Sequence, residues 1–142
     1  MGSYYMSVKH SKKSSFVDAV SRLQEALCQQ KHPGIVGEMM RDAIIQRFEF
    51  TLEIAWKYMR FVLLDEGILR EDVQSPKKTV RSAYTNGLIE DGDIWLGMIR
   101  YRNSLSHTYD ETTAIALEKK IKDEYIHEFK KLLEKIDSIK DA

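Results

Sequence analysis

The chain has 142 residues, the length of one domain with one sizeable core. Hydrophobic residues make up 43% and charged residues 31%, and 22 Lys and Arg balance 22 Asp and Glu. No overall field therefore draws the chain to nucleic acid or to an anionic membrane, and any RNA contact must be made locally, through a pocket. The single cysteine, Cys28, excludes an internal disulfide and any paired-cysteine metal site. It suits a reducing cytosol. No apolar run approaches the roughly 20 residues of a membrane span and no signal peptide is visible, so a soluble, cytoplasmic protein is expected.

Met1-Gly2-Ser3 reads as a vector remnant with Met6 as an alternative start, and residues 1–13 as a flexible segment before one helical domain. From Ser14 to about Lys31, Phe16, Val20, Leu23 and Leu27 recur at spacings of four, three and four, one apolar stripe of a helix. Lys31-His32-Pro33-Gly34 breaks it. A longer stripe follows through Met40, Ile44, Phe48, Leu52, Ala55, Met59 and Val62, and Gly67 is placed to end it as the residue after the C-cap. Ser75-Pro76 pairs an N-cap with proline in the first turn, opening a short helix that stops near Asn86-Gly87. Asp91 or Asp93 caps a further helix with Ile94, Met98, Tyr101 and Leu105 inward, and Asp110 or Thr112 caps the last, with Leu117, Ile121, Tyr125, Phe129, Leu132, Ile136 and Ile139 inward. No segment alternates with period two, and no repeat or low-complexity tract occurs. The expected fold is all-α, a four-helix up-and-down bundle with an additional short helix.

One segment does not read as plain helix surface: Arg102-Asn103-Ser104-Leu105-Ser106-His107-Thr108-Tyr109-Asp110. Arg102 continues the line of Trp95 and Ile99, at the edge of the buried face, where a guanidinium needs an anionic partner or ligand. His107 lies five residues on, roughly 140° round a regular helix. A helix end near His107, or a second copy of the chain, would be needed to bring the two together. Arginine grips phosphate oxygens bidentately, histidine moves protons near neutral pH, and a tyrosine hydroxyl can donate, accept or be modified. The plainer reading is that Arg102 pairs with Glu49 or Glu53 and that His107 caps helix carbonyls.

The polar line Gln46, Glu49, Glu53 and Lys57 on the second helix reads as a solvated face with i,i+4 ion pairs, with Glu49 and Trp56 as candidate pocket walls. Met39, Met40 and the Trp and Tyr residues read as core. His10, His32 and His127 are isolated, and Lys77, Lys78 and Arg81 read as ordinary surface. No His, Asp or Glu cluster has metal-ligand spacing, so no metal or other cofactor is expected.

Gln46-Arg47-Phe48-Glu49-Phe50-Thr51 through Ala55-Trp56-Lys57, then Ser75-Pro76 with Ala83, then Arg102-Asn103 to His107-Thr108-Tyr109, resemble the nucleotidyltransferase substrate-binding protein family of the HEPN superfamily. The resemblance runs from about Phe16 to Ile136. It implies a dimerising bundle encoded beside a minimal nucleotidyltransferase, to which it presents substrate. Related HEPN proteins are metal-independent ribonuclease toxins that use the motif Arg and His as a catalytic pair, with the nucleotidyltransferase as antitoxin and AMP added to the motif tyrosine. The matching positions here are Arg102, His107 and Tyr109, with Asn103, Glu49, Glu53 and Trp56 as pocket candidates. Two functions follow as expectations: a substrate-binding partner with a nucleotide- or RNA-phosphate groove, or an endoribonuclease restrained by modification of Tyr109. Nucleotidyl transfer by this chain is not expected, because the sequence has no clustered carboxylates beside a Gly-Ser loop to hold Mg²⁺.

Overall fold

A computed structural model describes residues 2–107 and 110–140. Its elements are α1 (Gly2–Leu27), α2 (Gly34–Asp65), a 3₁₀ turn (Arg70–Val73), α3 (Pro76–Thr85), α4 (Gly92–His107), α5 (Glu111–Lys120), a π turn (Ile121–Tyr125) and α6 (Ile126–Lys140). No strand occurs among the described residues. α1 lies along α2, which also packs on α3 and α5; α3 packs on α4, and α6 returns to α1.

The helix ends follow from local chemistry. Ser75 accepts from the Lys78 amide at 3.2 Å, Asp91 from the Ile94 amide at 3.2 Å and Asp110 from the Thr113 amide at 2.7 Å. Each satisfies a first-turn N–H that has no partner within its helix. Of the paired alternatives, Asp91 and Asp110 are the caps. α2 ends in a Schellman turn, in which Gly67 (φ 95°) donates to the Leu64 carbonyl and Ile68 to the Leu63 carbonyl. Gly87 (φ 77°) ends α3 the same way, with Leu88 donating to the Ala83 carbonyl at 2.8 Å.

The core centres on Phe129, which is fully buried. Its ring meets Phe16 of α1 edge-on at 6.3 Å, Trp95 of α4 edge-on at 5.5 Å and Phe48 of α2 at 6.1 Å. The expected stripes of α2 and of the last helix are buried from Ile44 to Val62 and from Leu117 to Ile136. The side chain of Ile139 lies outside the described residues. On α4 the deepest residues are Trp95, Met98 and Ile99, while Ile94, Tyr101 and Leu105 are partly buried, so the face is turned slightly from the expected one.

Four expectations are corrected. The first helix starts at Gly2 rather than at Ser14, so residues 2–13 belong to α1. No Gly or Pro interrupts the chain between Gly2 and Pro33, Lys13 pairs with Asp137 of α6, and Lys12 sits 5.4 Å over the Phe61 ring of α2. The last helix is not uniform, because a π turn intervenes. Leu117, Ile121, Tyr125 and Phe129 are spaced by four, so on a regular helix the stripe would drift by roughly 40° at each step. The wider π turn takes up that drift and keeps all four inward. Met39 is 65% exposed and Tyr84 56% exposed, on outer helix faces rather than in the core. A 3₁₀ turn also precedes α3, where no element was expected.

Candidate functional site at the α2–α4 seam

Arg102 lies on α4 and Glu53 on α2, and an ion pair joins them at 3.0 Å, Arg102 Nη2 to Glu53 Oε2. Both side chains are about a third exposed, 31% and 34%, which places the pair at the rim of the core. Periodicity accounts for this, since each residue sits at the edge of its helix's apolar stripe.

Glu53 has further partners. The Trp56 indole N–H donates to the same Oε2 at 3.1 Å, and Lys57 Nζ is 3.3 Å from Oε1. Trp56 is itself 7% exposed, so its ring is packed and its N–H is fixed in direction. Burial alone would raise the Glu53 carboxyl. The hydrogen bonds from Trp56 and Lys57 and the charges of Arg102 and Lys57 outweigh it and hold the group below the ordinary range. Glu49, one turn earlier, is half-buried. Burial pushes its carboxyl up, and the Arg102 charge opposes that only in part. Two carboxylates on one helix edge therefore flank one guanidinium and are shifted in opposite directions.

The structure thus brings together Arg102, Glu53 and Trp56, with Glu49 beside them, and leaves Asn103 exposed on the next position of α4. Lys57, read from the sequence as part of a solvated line, is a member of the cluster. The expected i,i+4 pairing to Glu53 is present, but the line is not merely solvated, because Glu53 reaches across to α4. The plainer expectation for Arg102, a pair with an acid of α2, is met by Glu53. His107 belongs to α4. The side chain of His107, and Tyr109 entirely, lie outside the described residues. Among the described residues no three His, Cys, Asp or Glu side chains are disposed to hold a metal ion, and no helix is long and apolar enough to cross a membrane. Lys77, Lys78 and Arg81 are exposed on α3, and Lys78 bonds only its neighbourhood, the Glu71 carbonyl at 3.4 Å and Gln74 at 3.5 Å.

Chemically, the cluster is a cation held at a rim by a carboxylate that is itself held. Arginine in such a position can exchange one oxyanion for another, because carboxylate and phosphate present similar geometry to its planar fork.

Comparison with known proteins places the chain in a family. Residues 11–138 match the model of the family described as nucleotidyltransferase substrate binding protein like. A protein of Haemophilus influenzae (strain ATCC 51907 / DSM 11121 / KW20 / Rd) named "Probable ribonuclease HepT" is 35% identical over 106 residues, covering 73% of this chain and 72% of the relative. A crystal structure from Thermus thermophilus is similar with a TM-score of 0.66 at 33% identity, covering 83% of this chain and 95% of that one. A Haemophilus influenzae structure, reported to reveal the fold of a substrate binding domain of a nucleotidyltransferase, is similar with a TM-score of 0.66 at 30% identity, covering 92% of this chain and 98% of that one. With nearly the whole helical core inside the matched span, the chain belongs to the nucleotidyltransferase substrate binding protein like family.

Proposed function

We propose that this chain is the substrate-binding partner of a minimal nucleotidyltransferase in a two-component, cytoplasmic system. It acts as a single four-helix up-and-down bundle domain that pairs as a homodimer and needs no cofactor of its own. The groove around Arg102, His107 and Tyr109 takes a nucleotide or RNA phosphate. The observation that carries this reading is the Arg102–Glu53 pair at the α2–α4 rim, steadied by Trp56 and Lys57. A guanidinium already desolvated on one side and oriented loses little freedom when a phosphate replaces its carboxylate partner. Family membership supports the partner assignment.

A second reading is favoured by one specific finding, the 35% identity to a protein named as a probable ribonuclease. In it Arg102 holds the scissile phosphate and His107 takes the proton from the adjacent 2′-hydroxyl. The 2′-oxygen forms a bond to phosphorus, the bond to the 5′-oxygen breaks, and the departing 5′-oxygen takes a proton. The product is a 2′,3′-cyclic phosphate, and the step uses no metal. A single histidine serves poorly as both base and acid, so a two-fold dimer bringing two Arg102/His107 pairs to one cleft fits the chemistry. AMP placed on Tyr109 by the nucleotidyltransferase would block the groove.

The deciding experiment is RNA cleavage in EDTA by the wild type, His107→Ala and Arg102→Ala, alongside binding to the nucleotidyltransferase encoded nearby. Loss of about 10²–10⁴ in rate in both variants, with helicity intact, establishes the ribonuclease. A wild type that cuts no RNA yet binds the nucleotidyltransferase establishes the binding partner alone. Failure of both rejects the two readings together.

A further inference from the structure

On the side of α4 away from Arg102 lies a second cleft, about 440 Å³, between α4 and the π turn. Its volume is within the roughly 300–1,000 Å³ common for small-ligand sites. Three features shape it, and packing does not explain the first two. The first is Gly97, in the interior of α4, where glycine weakens a helix by about 1 kcal/mol relative to alanine. A Cβ there would meet nothing nearer than the Tyr125 hydroxyl at 3.4 Å and the Arg100 guanidinium at 3.8 Å, which is ordinary contact. Close packing does not demand the glycine; its effect is to leave a window open over Tyr125.

The second feature is Arg100. Its guanidinium is drawn back towards that window and makes no ion pair among the described residues. The third is the π turn, which sets Tyr125 and Glu124 against the cleft. Single π turns within α-helices are frequent at functional sites. The Tyr125 ring is 3% exposed and stands edge-on to Tyr101 at 6.3 Å. Burial, with Tyr101 and Glu124 adding to it and Arg100 opposing, pushes the Tyr125 hydroxyl up to about 12, so it remains a hydrogen-bond donor at neutral pH.

We propose that this cleft is a second ligand site, distinct from the Arg102 seam, which binds one ribose-phosphate unit of a ribonucleotide. Arg100 takes the phosphate with help from Lys120. Lys120 pairs with Glu124 at 2.8 Å and can share its charge, so the cation left to meet an incoming anion is Arg100. Ser104, one turn after Arg100 on the same face, adds a hydroxyl donor. Asp93, at the other end of the cleft, accepts from a ribose hydroxyl, and the half-buried Tyr101 offers a ring on which a base can stack. A bare phosphate would leave Asp93 facing an anion, which favours the larger ligand with its own donors. The unit can come from a free nucleotide or from the end of an RNA strand.

The proposal does not depend on the function read at Arg102, since a chain inactive there could still bind here. The test is titration of ¹⁵N-labelled protein with 5′-AMP and, separately, with a 5′-phosphorylated single-stranded RNA hexamer. Saturable shifts of the Gly97, Ser104 and Glu124 amides are expected, with Kd below about 1 mM for at least one ligand. Response to AMP identifies a free nucleotide as the source, and response to the hexamer alone identifies a strand end. Arg100→Ala should weaken binding roughly tenfold, about 1.4 kcal/mol. Gly97→Val should close the window while circular dichroism stays unchanged, and Arg102→Ala should leave the shifts intact. The site is rejected if neither ligand moves these amides. It is also rejected if Arg100→Ala and Gly97→Val bind as well as wild type, or if Arg102→Ala abolishes the shifts. Equal binding of 2′-deoxy-AMP, and of an analogue also lacking the 3′-hydroxyl, rejects the ribose assignment.

Discussion

Replacing either of the two α2 carboxylates with its amide should change stability in opposite directions. Glu53→Gln keeps an oxygen that can accept from Trp56 but removes the charge facing Arg102 and Lys57. At 3.0 Å the Arg102–Glu53 attraction is about 1.4 kcal/mol at a water-like dielectric and about 5.5 kcal/mol at an effective value of 20. Both side chains are about a third exposed, so desolvation, side-chain entropy and solvent screening reduce the net to about 1 kcal/mol or less. For a chain of 142 residues that corresponds to a fall in Tm of roughly 3 °C. Glu49→Gln removes a carboxylate that burial disfavours in its charged form, so at pH 7 it should leave Tm unchanged or raise it slightly. The pH dependence follows from the directions of the shifts. Glu53, held below its usual 4.5, contributes stability above that value, and the contribution is lost as pH falls through its lowered pKa. Glu49, raised above 4.5, penalises the fold when ionised, and the penalty disappears below its unfolded value. Thermal melts followed by circular dichroism at pH 7 and again near pH 3 test both signs. Destabilisation by Glu49→Gln at pH 7 as large as that by Glu53→Gln would refute these assignments. A Glu53→Gln deficit undiminished in acid would refute them equally.

Two further predictions concern the fold that holds the site. Phe129→Ala should cost about 3–5 kcal/mol in urea denaturation, because the ring meets α1, α2 and α4 at once; a loss under about 1 kcal/mol would mean that these helices do not share one core. Asp110→Ala should cost about 1 kcal/mol and fray the start of α5, seen as faster exchange of the Thr113 amide; unchanged exchange would deny Asp110 its capping role.

Most of the fold was legible along the chain because its signals are local. A 3.6-residue stripe needs only its own helix to be recognised, and Ser75-Pro76, Asp110, Gly67 and Gly87 end helices through atoms within a turn of themselves. Arg102 stood out for the same reason, as a charge in line with Trp95 and Ile99. What the chain order left open were choices between near-equal local candidates: Asp91 against Asp93 as a cap, and Glu49 against Glu53 as the partner of Arg102. The first is a local choice, settled where Asp91 accepts from the Ile94 amide; the second depends on which side chain reaches across the seam, and that is set by how α2 and α4 are turned about their axes.

Composition and periodicity suffice for the all-helical class, the approximate helix boundaries and the residues that line the core, because burial of apolar stripes is the largest driving force for folding and the pattern records it. Packing between helices settled what remained. It set Lys12 and Lys13 of α1 against α2 and α6, and it widened one turn of the last helix so that four side chains spaced by four could all face Phe48, Trp95 and their neighbours. It also made Lys57 and Trp56 part of one network with Arg102. Each of those outcomes rests on contacts between residues distant in sequence, whose energies depend on distance and solvent exposure, and neither quantity exists until the helices have packed.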